Sequence, residues 1–322
     1  MTRRSLALLL VLLAGCGLRD VPTHPGSGYT LLGTVQTVGI GQDIIVRDGL
    51  AYVAEGEVGF TVYDVSDPAS PSMAGTIKLP NGYSRGIDLT DSIAVLASGE
   101  YAGLMLISVS SAESPQFVGA VGSDFVQSPV DVVCRDGLAF AADKWGGVAV
   151  YEVTNPAAPH FMSRVETLGY ALAIQLVDSL AYVAGGQGGL ELVVVSNPHK
   201  LELLSANDSP GYGYDVAVGD GVAYLADGRQ GVMVVDVSDP SNPATVGTYD
   251  TEGQALRLFL DWPLLYVADD WGGLTVLDVS NPAAPALHSG YEVDGATAVW
   301  VDDDGLVYVL AEYDGLLILE RD

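Results

Sequence analysis

The alternation of apolar and polar positions divides this chain into short strands rather than helices. Asp215-Val216-Ala217-Val218 alternates with a period of two, whereas Val222-Ala223-Tyr224-Leu225-Ala226 and Val232-Met233-Val234-Val235-Asp236 are apolar on both faces. Turn signals separate these runs: Gly219-Asp220-Gly221, then Asp227-Gly228-Arg229-Gln230-Gly231. The segment Val237-Ser238-Asp239-Pro240-Ser241-Asn242-Pro243 ends the third run, because proline has no N–H to continue a ladder. A further run over residues 245–249 completes a four-stranded meander. No segment sustains a helical period, and the one long apolar run lies at the N-terminus.

The meander recurs. With Tyr52 as anchor, its counterparts are Leu96, Phe140, Tyr182, Tyr224, Tyr266 and Tyr308, at intervals of 42 to 44 residues. Seven positions after each anchor stands a glycine: Gly59, Gly103, Gly147, Gly189, Gly231, Gly273 and Gly315. A period near forty with four strands per repeat predicts a β-propeller, whose stacked blades bury both faces of the inner strands. The final repeat stops at its third strand, Leu316-Leu317-Ile318-Leu319-Glu320. Ahead of the first repeat, Leu31-Leu32-Gly33-Thr34-Val35 resembles the fourth strand Met73-Ala74-Gly75-Thr76-Ile77. Pairing the two removes both open edges. The expectation is an all-β, seven-bladed propeller of four-stranded antiparallel blades over residues 29–322, its last blade closed by the N-terminal strand.

The third strand and following turn, as in Leu274-Thr275-Val276-Leu277-Asp278-Val279-Ser280-Asn281-Pro282, are similar to the LVIVD repeat of bacterial and archaeal surface proteins. The resemblance spans residues 29–322 and implies a propeller in an envelope setting; the family has no established common chemistry. Ser108 and Val194 depart from it at the terminal acidic position, and Ser111 replaces the Asp or Asn of the turn.

Composition adds an address. Arg3 and Arg4 precede an apolar core over residues 6–13, and Leu13-Ala14-Gly15-Cys16 closes it. That pattern resembles the lipobox of bacterial lipoproteins, which implies a signal peptide over residues 1–15 and lipidation of Cys16. Gly17 and Leu18 after the cysteine imply the outer membrane by resemblance to enterobacterial sorting. Residues 16–28 read as the lipidated cysteine and a flexible tether. Cys134, in an apolar run, reads as a small buried hydrophobe. With 13 basic and 41 acidic residues and a net charge of −28, the chain repels nucleic acid and anionic lipid. The expected partners are the membrane, through the lipid, and an envelope or extracellular protein or glycan.

Candidate chemistry is sparse. Gly82-Tyr83-Ser84-Arg85-Gly86 matches the G-x-S-x-G of serine hydrolases, but it sits in an interblade connection with no helix to follow. His24, His160, His199 and His288 fall in the tether and at the rim of different blades, so they do not converge. No catalytic residue is assigned. Loops between second and third strands and the interblade connections emerge on one face, which carries Tyr83, Tyr101, Asp143, Trp145, Tyr212, Arg229, Asp269, Trp271 and Tyr313. Aromatic rings beside charged groups suit protein or carbohydrate recognition. Asp43, Asp88, Asp131 and Asp215 open inner strands, with Gln175 and Arg257 at related positions. Two readings apply: each caps a strand of the neighbouring blade, or together they hold calcium in the channel. The functional expectation is a non-enzymatic binding or scaffolding lipoprotein without cofactor; the alternative is a calcium-dependent hydrolase or lactonase-like enzyme.

Overall fold

The computed structural model describes residues 28–79, 82–99, 103–122 and 128–322. The predicted leader, Cys16 and the tether up to residue 27 lie outside the described residues, as do Tyr101 and Phe125. Seven four-stranded antiparallel sheets follow one another along the chain and form a ring of blades. Blade 1 runs Asp43–Arg47, Leu50–Ala54, Phe60–Asp64 and Ser72–Ile77, from channel to rim. Blade 7 takes three strands from the C-terminus, ending in Gly315–Arg321, and its outer strand is Tyr29–Val35. Leu31 pairs with Leu319 and Val35 with Leu316, so the ring closes as the two incomplete repeats require.

Local chemistry explains the repeat. Asp48-Gly49, Asp136-Gly137 and Asp220-Gly221 all have positive φ, the geometry of a two-residue hairpin matched to strand twist. The seven recurrent glycines also have positive φ, and a Cβ on any of them would strike a backbone carbonyl of the outer strand. On Gly147 it would meet the Val165 oxygen at 2.1 Å; on Gly315 it would meet the Val35 oxygen at 2.4 Å. The latter contact shows the N-terminal strand standing in for a missing fourth strand. Second and third strands supply most of the core, including the fully buried Tyr63, Tyr151, Tyr224 and Phe140. Apolar clusters bridge adjacent blades; one joins Val53 and Tyr63 of blade 1 to Leu316 and Ile318 of blade 7. Burial on both faces holds the blades together without a second layer.

Candidate functional site

The inner strands line the channel and carry the predicted acids. Asp43, Asp131 and Asp215 begin the inner strands of blades 1, 3 and 5. Each accepts a hydrogen bond from a backbone N–H of the next blade, at Ile87 (3.0 Å), Ile174 (2.9 Å) and Leu258 (2.8 Å). Blades 2 and 4 make the same link two residues further along: Asp88 accepts from the Cys134 N–H (2.6 Å) and Gln175 from the Val218 N–H (2.6 Å). Interblade clamps therefore alternate between two levels around the channel. Blade 7 is linked to blade 1 by Thr297, whose hydroxyl donates to the Gly41 carbonyl at 2.7 Å.

Arg257 opens the inner strand of blade 6 and faces these carboxylates, 3.8 Å from Asp215 Oδ1. Burial pushes the Asp43 carboxyl up to about 6, against the pull of Arg257. Burial likewise pushes Asp131 up to about 7, with Asp43 and Asp215 adding to the rise. Asp43, Asp88 and Asp215 also accept from the N–H of the residue that follows each of them. At least one oxygen of each carboxylate is thus taken by a backbone amide, and the Arg257 guanidinium lies among them. Among the described residues no group of His, Cys, Asp and Glu is arranged to hold a metal.

The hydrolase-like string is structural. Ser84 is buried and its hydroxyl donates to the Gly59 carbonyl of the preceding blade. His160 pairs with Glu152 at 3.1 Å on an outer strand, and His199 and His288 are exposed at the rim. Cys134, expected as a buried hydrophobe, is only half-buried, and desolvation with the neighbouring Asp88 carboxylate pushes its thiol well above the ordinary range.

The loop face differs from the sequence expectation at two positions. Asp143 and Asp269 are fully buried and turned away from any partner. Asp143 Oδ1 accepts from the Ser128 N–H at 2.7 Å, and Asp269 accepts from the Thr251 hydroxyl (2.6 Å) and the Gly253 N–H (2.8 Å). Each thereby fastens the preceding interblade connection to its own loop. Glu55 does the same through the Val38 N–H, and Asp227 through Ser209 and Gly211. Blade 4 has Gly185 at this place, and Glu191 from the following strand reaches in to accept from Leu168 (2.7 Å) and Gly169 (3.0 Å). Burial raises all five carboxyls above their ordinary range, Asp269 to about 6.

The rings above these clamps are turned outward. Trp145 is 56% exposed and Trp271 49%, and Tyr313 reaches 66%. Trp145 meets Tyr170 edge-on at 4.4 Å between centroids, with the Lys144 ammonium 5.5 Å from its ring. Trp271 donates from Nε1 to the Glu252 carbonyl at 3.2 Å, and the Arg229 guanidinium of the preceding blade lies 5.5 Å from its ring. Each tryptophan is thus held at one edge while a broad face stays accessible. Tyr83 and Tyr212 are half-buried over Gly56 and Gly186, where a Cβ would meet either ring at 2.9 Å. The structure therefore brings Trp145 to Tyr170 and Arg229 to Trp271, and leaves Tyr313 apart at blade 7.

Several contributors escaped the sequence reading. Glu191 is signalled by an acid inside the apolar run Leu190-Glu191-Leu192. Arg85 is signalled only by the scarcity of bases in the chain, whereas Arg257 is already placed beside the inner acids by its position in the repeat.

Comparison with known proteins is consistent with this geometry. No curated protein sequence matches the chain. The chain is similar in fold to the WD40 propeller domain of Doa1, with 12% identity, 92% and 98% of the two chains covered, and a TM-score of 0.71. The Neurospora crassa Pan2 WD40 domain matches at 11% identity, 91% and 95% coverage and a TM-score of 0.72. A chain of the mitotic checkpoint complex matches at 12% identity, 100% and 99% coverage and a TM-score of 0.74. At such identities these likenesses establish the fold alone. The LVIVD repeat model matches residues 38–78, 130–167, 168–207, 210–251 and 264–293, more than half of the sequence. With its ring closed by the N-terminal strand and its repeats matched along most of their length, this chain belongs to the LVIVD repeat family.

Proposed function

We propose that this protein is a non-enzymatic recognition module that presents the loop face of its propeller to an envelope or extracellular protein or glycan. The observation that carries this reading is the pair of outward-facing tryptophans, each braced at one edge and flanked by a cation. Aromatic rings with few torsions to freeze give large contact area at low entropic cost, and such residues dominate binding energy where they are desolvated. Tyr313 extends the same face. Lipidation at Cys16 would tether the propeller to a bacterial membrane, outer by the residues that follow the cysteine, and leave the loop face free to meet its partner. The hydrolase alternative gains no support from Ser84, the histidines or the channel acids.

Changing Trp145 or Trp271 to Gln tests the proposal. Binding to a partner captured from envelope extracts should weaken by about 2 kcal/mol or more, as for an aromatic hot spot, with the melting temperature shifted by only a few degrees. A large stability loss with unchanged affinity would show that these rings serve blade packing instead.

A further inference from the structure

The mouth of the channel on the loop face opens into a cavity of about 430 Å³. Its charged lining among the described residues is entirely basic: Arg85 from blade 2, Lys144 from blade 3 and Arg257 from blade 6. The chain as a whole carries 41 acids and 13 bases, so three bases converging on one cavity reverse the character of the molecule. Tyr212 and Tyr214 line the same wall with centroids 5.1 Å apart, and Leu172 and Leu256 add apolar surface beside them.

Arg257 forms the boundary between two chambers. On its far side lies a cavity of about 250 Å³ that contains Asp43, Asp88, Asp131 and Asp215. All four accept from backbone amides, and Asp43, Asp131 and Asp215 face Arg257, so they offset its charge from below. Arg85 and Lys144 are different. Among the described residues no carboxylate pairs with either, and their cationic groups rest against rings: Arg85 lies 4.7 Å from the Tyr83 centroid, and Lys144 lies between Trp145 and Tyr170. A cation on an aromatic face keeps its charge and its donors for a second partner. The net negative charge of the protein repels anions at a distance, but that field is screened beyond about 8 Å at physiological salt, so selection here acts at contact range.

We propose that the channel mouth binds a small organic anion bearing a ring, with an acidic sugar (carboxylate or phosphate on a saccharide ring) as the class that matches both halves of its lining. The anionic group meets Arg85 and Lys144, and the ring lies against Tyr212 and Tyr214. A volume of about 430 Å³ falls at the lower end of small-molecule sites, which run from about 300 to 1,000 Å³. The inference rests on the reading of the loop face as a recognition surface and supplies the chemistry of one part of it.

Calorimetric titration with galacturonate, galactose, glucose 6-phosphate, glucose and citrate tests it. At least one acidic sugar should bind about tenfold or more tightly than its neutral parent, and which one does so identifies the acid as carboxylate or phosphate. The double variant Arg85→Gln/Lys144→Gln should lose about tenfold or more in that affinity, with melting temperature kept because Arg85 is exposed and Lys144 half-exposed. Lys200→Gln, at the rim, should bind like the original protein. Equal binding of acidic and neutral sugars, no binding of either, or full affinity in the double variant would overturn the proposal. Citrate binding as tightly as the best acidic sugar would overturn the assignment of a saccharide ring. Failure here while Trp145→Gln and Trp271→Gln still weaken partner capture would sink this inference alone and leave the proposed recognition surface standing.

Discussion

Removing the Asp269 carboxylate gives a direct measure of what the buried loop acids do. In Asp269→Ala, the Thr251 hydroxyl and the Gly253 N–H lose their acceptor together, and both residues are buried. Leaving a buried donor unsatisfied costs about 1–3 kcal/mol, so two donors sum to roughly 2–6 kcal/mol. Part is returned because the ionised carboxyl is itself disfavoured by burial, as its rise to about 6 shows. A net loss of about 3 kcal/mol follows, and in a domain of this size that lowers the melting temperature by about 5 °C. Asp269→Asn should recover much of that loss, since its amide oxygen can accept from the Gly253 N–H while its NH2 donates to the Thr251 hydroxyl oxygen. The control is Asp270→Asn: Asp270 lies next in the chain, makes no side-chain clamp, and has φ near 50°, which asparagine tolerates. Thermal unfolding followed by circular dichroism at neutral pH reads all three. If Asp269→Ala unfolds within about 2 °C of the Asp270→Asn control, the carboxylate is no clamp, and the sequence expectation of a ligand contact at this position regains its force.

Three further outcomes follow from the channel and the leader. Because Asp43 and Asp131 titrate higher in the folded chain than in the unfolded one, the folded state holds more protons between about pH 4 and 7. Stability should therefore fall as pH rises through that window and level off above it, with Asp131→Asn flattening the profile; a melting temperature that climbs toward pH 8 would contradict this. Added calcium should leave the melting temperature unchanged, whereas a rise abolished by changing Asp43 and Asp215 to Ala would restore the metal reading. Cys16→Ser should release the protein from membrane fractions or stall its processing, and undiminished membrane attachment would place the anchor elsewhere.

The fold was legible because each of its local requirements has a residue signature. Asp-Gly marks the hairpins, the recurrent glycine marks the place where the third strand starts too close to the fourth for a Cβ, and the missing fourth strand at one end has its match at the other. Of the two readings open for the inner acids, strand capping across blades is the one the geometry supports. The candidate site was less legible. Asp143 and Asp269 look like surface loop residues because sequence gives their polarity but not the direction of their side chains. The clue was the glycine three positions on: a Cβ at Gly272 would lie 2.2 Å from Asp269 Oδ2, and one at Gly146 would lie 2.8 Å from Asp143 Oδ2. Those glycines leave room for a carboxylate tucked beneath the loop. Glu191 solves the same problem in blade 4 from a different strand, and its one trace in the sequence is an acid inside an apolar run. The basic channel mouth draws one residue from each of three blades, and no spacing along the chain brings Arg85, Lys144 and Arg257 together.

Recognition through the loop face is the central claim, and the most direct measurement is hydrogen–deuterium exchange of the protein alone and in complex with its captured partner. The account predicts protection over residues 143–147 and 269–273 and no change at the hairpin turns of the opposite face, such as 48–49, 136–137 and 220–221. Protection confined to those turns or to the outer strands would contradict it.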